Sequence, residues 1–147
     1  MLTLTQRCSE PLAAARCLHL ALTAEERCRS RLYCQSEEGQ ALYLKLSRGT
    51  ILRPGEFVAT DDGTVVAKIL AKPEPTLRVK GADALSLLQA AYHLGNRHVP
   101  LEIHASHLRL AADPVLQTLL EQRGLTVTFE IAAFCPESGA YPSHAHG

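Results

Sequence analysis

The stretch "AAYHLGNRHVPLEIHASH" (residues 90–107) passes from one kind of secondary-structure pattern to another. Its opening carries the spacing of a helix, Gly95 supplies a stop, and "VPLEI" (99–103) reads as a strand. His98 falls at the joint, with His93 before it and His104 and His107 after it. An imidazole there can be a metal ligand, a base, or a group that only satisfies a local hydrogen bond, so its surroundings decide its role.

Working outward, "TLRV" (76–79) reads as a strand and Asp83 as the cap of a helix. That helix takes Leu85, Leu88, Tyr92 and Ala91 as its apolar positions, with Gly95 just beyond its end. "HLRLA" (107–111) reads as the next strand. Asp113-Pro114 marks a second helix start, with Asp as cap and Pro at the first helical position. Val115, Leu116, Leu119 and Leu120 follow, Arg123-Gly124 stops the helix, and "LTVTFEI" (125–131) alternates as a last strand. The order β-α-β-β-α-β is that of a ferredoxin-like unit.

The first half follows different rules. "ALYLKL" (41–46) alternates as a half-buried strand, and Asp62-Gly63 between Val58 and Val65 signals a turn between strands. Short apolar runs separated by Gly and Pro breakers predict a small, mostly β domain. Lys72-Pro73-Glu74-Pro75 reads as a stiff linker that breaks strand pairing. The expected class is α+β: a mostly β domain (1–73), a ferredoxin-like domain (74–135) and a short flexible tail (136–147) ending in His-Ala-His.

Composition narrows the function. Lys plus Arg and Asp plus Glu each number 15, so the chain lacks the basic surplus that phosphate binding favours. With 5% aromatic residues and no Trp it has few stacking platforms, and nucleic acid is not the expected partner. No apolar run approaches the ~20 residues of a membrane helix. "LAAARCLHLALTA" (12–24) is interrupted by Arg16 and His19 and lacks a cleavage signal, so a cytoplasmic location is expected. Five scattered cysteines, none spaced Cys-x-x-Cys, read as reduced thiols. No G-x-S-x-G, phosphate loop or H-E-x-x-H is present, so no catalytic constellation is expected.

One imidazole is a poor metal site, because nickel or zinc takes about four ligands or more. A site at His98 therefore needs further donors. A two-fold axis would supply a second His98, and the tail offers His144 and His146 at His-x-His spacing. His104 and His107 read as solvated turn residues. Cys17 with His19 reads as a packed thiol beside a surface imidazole, and Cys135 as a buried, inert thiol.

Three stretches, "YHLGNRHVPLEI" (92–103), "VLQTLLEQRGLTVTF" (115–129) and "FCPESGAY" (134–141), together resemble the UreE family of urease accessory proteins. Residues 20–74, with their Leu-Thr opening, Arg-Ser-Arg step and Arg-Gly-Thr turn, are similar to that family's N-terminal β domain. The resemblance implies a homodimer joined through the second domain, with His98 of both subunits holding one Ni2+ and His144 and His146 covering or loading it. Zn2+ or Cu2+ would fit the same imidazoles in vitro. It further implies delivery to apo-urease with a GTPase accessory partner, and a peptide-binding first domain. Ala112 and Pro114 stand where some relatives carry histidine, which argues against an auxiliary site there. Two other readings compete. An RNA- or protein-binding ferredoxin-like adaptor would want aromatics on its central strands, and an acylphosphatase-like hydrolase would rest on Asn96 and Arg97.

Overall fold

The computed structural model describes residues 1–11 and 13–137, and the chain divides after Lys72 into two compact units. The class is α+β.

The first unit contains β1 (Leu2–Leu4), β2 (Gln6–Cys8), β3 (Arg16–Leu22), a single 3-10 turn (Glu26–Cys28), β4 (Arg31–Gln35), β5 (Ala41–Lys45), β6 (Phe57–Ala59) and β7 (Val65–Ala71). Its two sheets run β1-β5-β4 and β2-β6-β7-β3. Alternation dictates the packing. Leu42 and Leu44 of β5 and Leu18, Leu20 and Leu22 of β3 all point inward, and the inner faces share one core with Leu4, Val58 and Ile69. Each buried Leu contributes roughly 1.5–3 kcal/mol. The Asp-Gly signal is a turn joining β6 to β7. Asp62 accepts hydrogen bonds from the Thr64 N–H at 3.0 Å and from the hydroxyls of Thr60 and Thr64, and Gly63 adopts φ 71°.

The outward face of β3 carries Cys17 and His19. Cys17 is exposed rather than packed, because strand alternation assigns it the same side as His19. Glu38 engages His19 twice, accepting from its N–H at 2.9 Å and lying 2.7 Å from ring Nδ1.

The second unit contains β8 (Glu74–Lys80), α1 (Ala84–Asn96), β9 (Glu102–Ile103), β10 (Leu108–Ala111), α2 (Pro114–Gln122) and β11 (Thr126–Ala132). Its sheet is antiparallel, in the order β11-β8-β10-β9. Leu77 and Val79 of β8 and Leu108 and Leu110 of β10 form a core with Leu87, Ala90 and Leu94 of α1 and Leu120 of α2. Asp83 caps α1 by accepting from the Ser86 N–H, and Asp113 caps α2 by accepting from Val115 and Leu116.

Three further sequence expectations need correction here. The helix face was misassigned: Leu85, Leu88 and Tyr92 are 60–67% exposed, and the buried set is Leu87, Ala90 and Leu94. α1 carries two apolar stripes offset by two residues, hence on opposite sides, and periodicity alone does not say which meets the sheet. The linker is also shorter, because Glu74 and Pro75 already belong to β8 and pair with Ala132 and Ile131. Proline is tolerated there because its carbonyl accepts from the Ala112 N–H at 3.1 Å, while its missing N–H falls on that same side, where the β10 ladder ends. Finally, only Glu102 and Ile103 of "VPLEI" pair as a strand; the Leu101 carbonyl instead accepts from the Glu137 N–H at 2.7 Å.

The His19 N–H, followed by its ring, holds the Glu38 carboxyl down at about 2. Because the folded value lies below the unfolded one, its contribution is complete above the ordinary carboxylate range and fades as pH falls toward 2. Glu38→Gln should therefore be less stable than the parent at neutral pH and indistinguishable from it at the acid end. Unfolding midpoints measured by circular dichroism across that range check this, and a pH-independent difference would refute it.

Candidate metal centre

The end of α1 determines how His98 is presented. The Val99 N–H donates to the Leu94 carbonyl at 3.1 Å, and the His98 N–H to the Gly95 carbonyl at 3.0 Å. This pair of bonds is the Schellman closure, which requires a left-handed residue between them. α2 ends in the same way, with the Leu125 N–H on Leu120 at 3.1 Å and the Gly124 N–H on Glu121 at 2.9 Å. There the left-handed residue is Gly124, at φ 84°. In α1 it is His98, at φ 58°, the one non-glycine residue with positive φ among those described. A side chain in that conformation costs about 1–2 kcal/mol relative to right-handed backbone.

Gly95, expected beyond the helix, lies inside its last turn, so the stop is made by His98. The closure carries Val99 back against the Leu94 core and leaves His98 exposed. His98 lines a cleft of about 320 Å³ whose other walls include Pro100, Ala112, Leu116 and Phe134. Asp113 also lines it, but its carboxylate caps α2. Among the described residues the cleft thus offers one imidazole, which is not a complete metal site. Ala112 and Pro114 present no donor side chains.

The tail candidates His144 and His146 lie outside the described residues. The chain leading to them is held beside β9: Phe134 is fully buried, the Cys135 N–H donates to Glu102 Oε1 at 2.8 Å, and Glu137 bonds Leu101. Cys135 is exposed, not buried as expected of an inert thiol, because Phe134 takes the interior position.

His104 and His107 were read as solvated turn residues, and here the sequence reading missed a cluster. One donor atom from each of Glu102, His104 and His107 lies within 4.8 Å of the others. The signal was present in the pattern. Glu102 and His104 are two apart and so share a strand face, and His104 and His107 flank a two-residue turn that sets them opposite one another. Burial, with the nearby charges of His104, Arg109 and Arg78, pushes the His107 imidazole below its ordinary value, so it remains neutral to lower pH.

Comparison with known proteins follows the two units. The family description "UreE urease accessory protein, N-terminal domain" matches residues 4–71, and "UreE urease accessory protein, C-terminal domain" matches residues 74–147. A "Urease accessory protein UreE" of Thermosynechococcus vestitus is 66% identical over 146 residues, covering 99% of this chain and 100% of the relative. One from a Nostoc species is 50% identical, covering 98% of each chain. One from Pseudomonas putida is 46% identical, covering 100% of this chain and 89% of its own.

The left-handed position makes a prediction separable from metal chemistry. His98→Gly should stabilise the protein by about 1 kcal/mol, because glycine relieves the backbone strain and only part of the gain is offset by its freer unfolded chain. His98→Ala retains the strained conformation and should be close to neutral. Urea midpoints of the three proteins measured without metal test this; a destabilised glycine variant would show that the His98 side chain supports the fold.

Proposed function

The chain belongs to the UreE family of urease accessory proteins, and on that premise we propose that it is a cytosolic nickel metallochaperone that binds Ni2+ at a dimer interface for assembly of the urease active site. The observation that carries this reading is His98, an exposed imidazole kept at a backbone position that favours glycine. Strain of this kind persists where function requires the side chain.

The exposed stripe Leu85, Leu88 and Tyr92 supports the dimer, since it is an apolar face running along α1 toward His98. A two-fold contact through the second unit pairs one His98 with its symmetry mate, and His144 and His146 complete the ligand set. Such a site, with one exposed imidazole from each subunit, is open, so it exchanges its ion where a closed four-ligand site would retain it. Imidazole also accepts Zn2+ and Cu2+, and copper has the higher intrinsic affinity, so availability and the partner select the cargo. We read the second unit, whose β-α-β-β-α-β order and β11-β8-β10-β9 sheet suit a ferredoxin-like domain, as the dimerisation and metal-binding domain. The β unit before it is the partner-binding domain, and delivery to apo-urease proceeds with a GTPase accessory protein. The chain acts as an accessory protein and not as an enzyme.

Nickel calorimetry combined with solution mass tests the proposal. The native chain should be dimeric and bind nickel; His98→Ala should remain folded and dimeric while uptake at this centre collapses. Leu88→Glu should yield a folded monomer and lose the same uptake, because the second His98 is no longer supplied. A His98→Ala dimer with parental affinity and stoichiometry would overturn the assignment.

A further inference from the structure

We infer that Glu102, His104 and His107 form a second binding site for a divalent transition-metal ion, on the β9–β10 hairpin and separate from the centre built on His98. The backbone prearranges the three donors. Glu102 pairs with Arg109 and Ile103 with Leu108, and the His104 N–H donates to the His107 carbonyl at 2.9 Å. Ala105 and Ser106 are therefore the turn, and the two imidazoles stand opposite each other at its base. Their rings lie 4.4 Å apart, 20° from parallel. His104 Nε2 is 2.6 Å from Glu102 Oε2.

Donors around one ion with bonds of about 2.0–2.2 Å sit roughly 3 Å apart. The three donor atoms here lie within 4.8 Å of one another, so an ion asks the side chains to draw slightly closer. His104 is 47% exposed, so its ring has solvent on one side in which to adjust. Glu102 is 16% exposed and fixed, because its other oxygen accepts from the Cys135 N–H. A ligating carboxylate oriented by a hydrogen bond in this way is the usual support of a metal site.

The guanidinium of Arg109 lies 3.7 Å from Glu102 Oε2, so its charge opposes a cation there, an opposition lessened because Glu102 is not its only anionic neighbour. It has other partners: Nη1 donates to Thr76 Oγ1 at 2.8 Å, and Nη2 lies 3.8 Å from Glu130 Oε2. Two imidazoles and one carboxylate suit nickel, zinc, cobalt or copper rather than magnesium or calcium. Three protein ligands leave a position open to water or a fourth donor, which is the arrangement of an exchanging site. The chain toward the tail is tied here at Cys135 and Glu137, and His144 follows seven residues after Glu137, within about 25 Å by contour length.

The test uses the full chain bearing His98→Ala, His144→Ala and His146→Ala, titrated calorimetrically with Zn2+ and with Ni2+ under reducing conditions. One ion per chain should still bind. Adding His104→Ala and His107→Ala should abolish that uptake, and adding Glu102→Gln should weaken it about tenfold or more. His104→Gln with His107→Gln serves as a second pair should alanine disturb the hairpin. In an otherwise native chain the His104/His107 pair should remove one equivalent per chain and leave the His98-dependent ion, so the two sites fail or stand separately. No uptake by the triple variant, or uptake indifferent to His104 and His107, would overturn the inference.

Discussion

The hydrogen bond from the Val99 N–H to the Leu94 carbonyl is the constraint on which the second unit turns. It can form only if the residue before Val99 adopts a left-handed conformation, so it stops α1 and exposes His98 in one step. It also returns Val99 to the core beside Leu94, which carries Pro100 and Leu101 toward the edge of the sheet. Leu101 is buried, and the register after it follows: Glu102 opposite Arg109, Ile103 opposite Leu108. The presentation of His98 and the alignment of the β9–β10 hairpin are consequences of one helix ending.

That hairpin belongs to a sheet with two unlike faces. One is apolar, with Leu77, Val79, Leu108 and Leu110 packed beneath the helices. The other carries Thr76, Arg109, Glu102 and Glu130, with Arg109 only 9% exposed. A guanidinium so far removed from water requires partners, and Thr76, Glu102 and Glu130 supply them. Glu102 is shared between Arg109 and His104, which couples the ordered charge network of the sheet to the imidazoles at its edge.

Much of the fold could be read from residue types whose chemistry acts over a few positions. Asp83 and Asp113-Pro114 begin helices because an aspartate oxygen satisfies free N–H groups within the next turn. Gly124 ends α2 because glycine enters the left-handed region without strain. Leu42 and Leu44, like Leu18, Leu20 and Leu22, declare their inward face by alternation. The same reasoning misplaced the end of α1, since it took Gly95 for the stop when His98 fills that role.

What the sequence determined by itself was the α+β class, the helix starts, the strand alternation and the identity of His98 as the residue at the joint. These are local effects, decided by backbone sterics and by hydrogen bonds a few residues long. Tertiary structure alone decided which of two apolar stripes on α1 met the sheet, leaving Leu85, Leu88 and Tyr92 outside. It also decided that Pro75 could remain in a strand, and that the Cys135 backbone would reach Glu102 and hold its carboxylate beside the hairpin imidazoles. Those outcomes depend on which surfaces lose water to each other and on contacts between residues as many as 56 positions apart, as Pro75 and Ile131 are, and no local pattern encodes them.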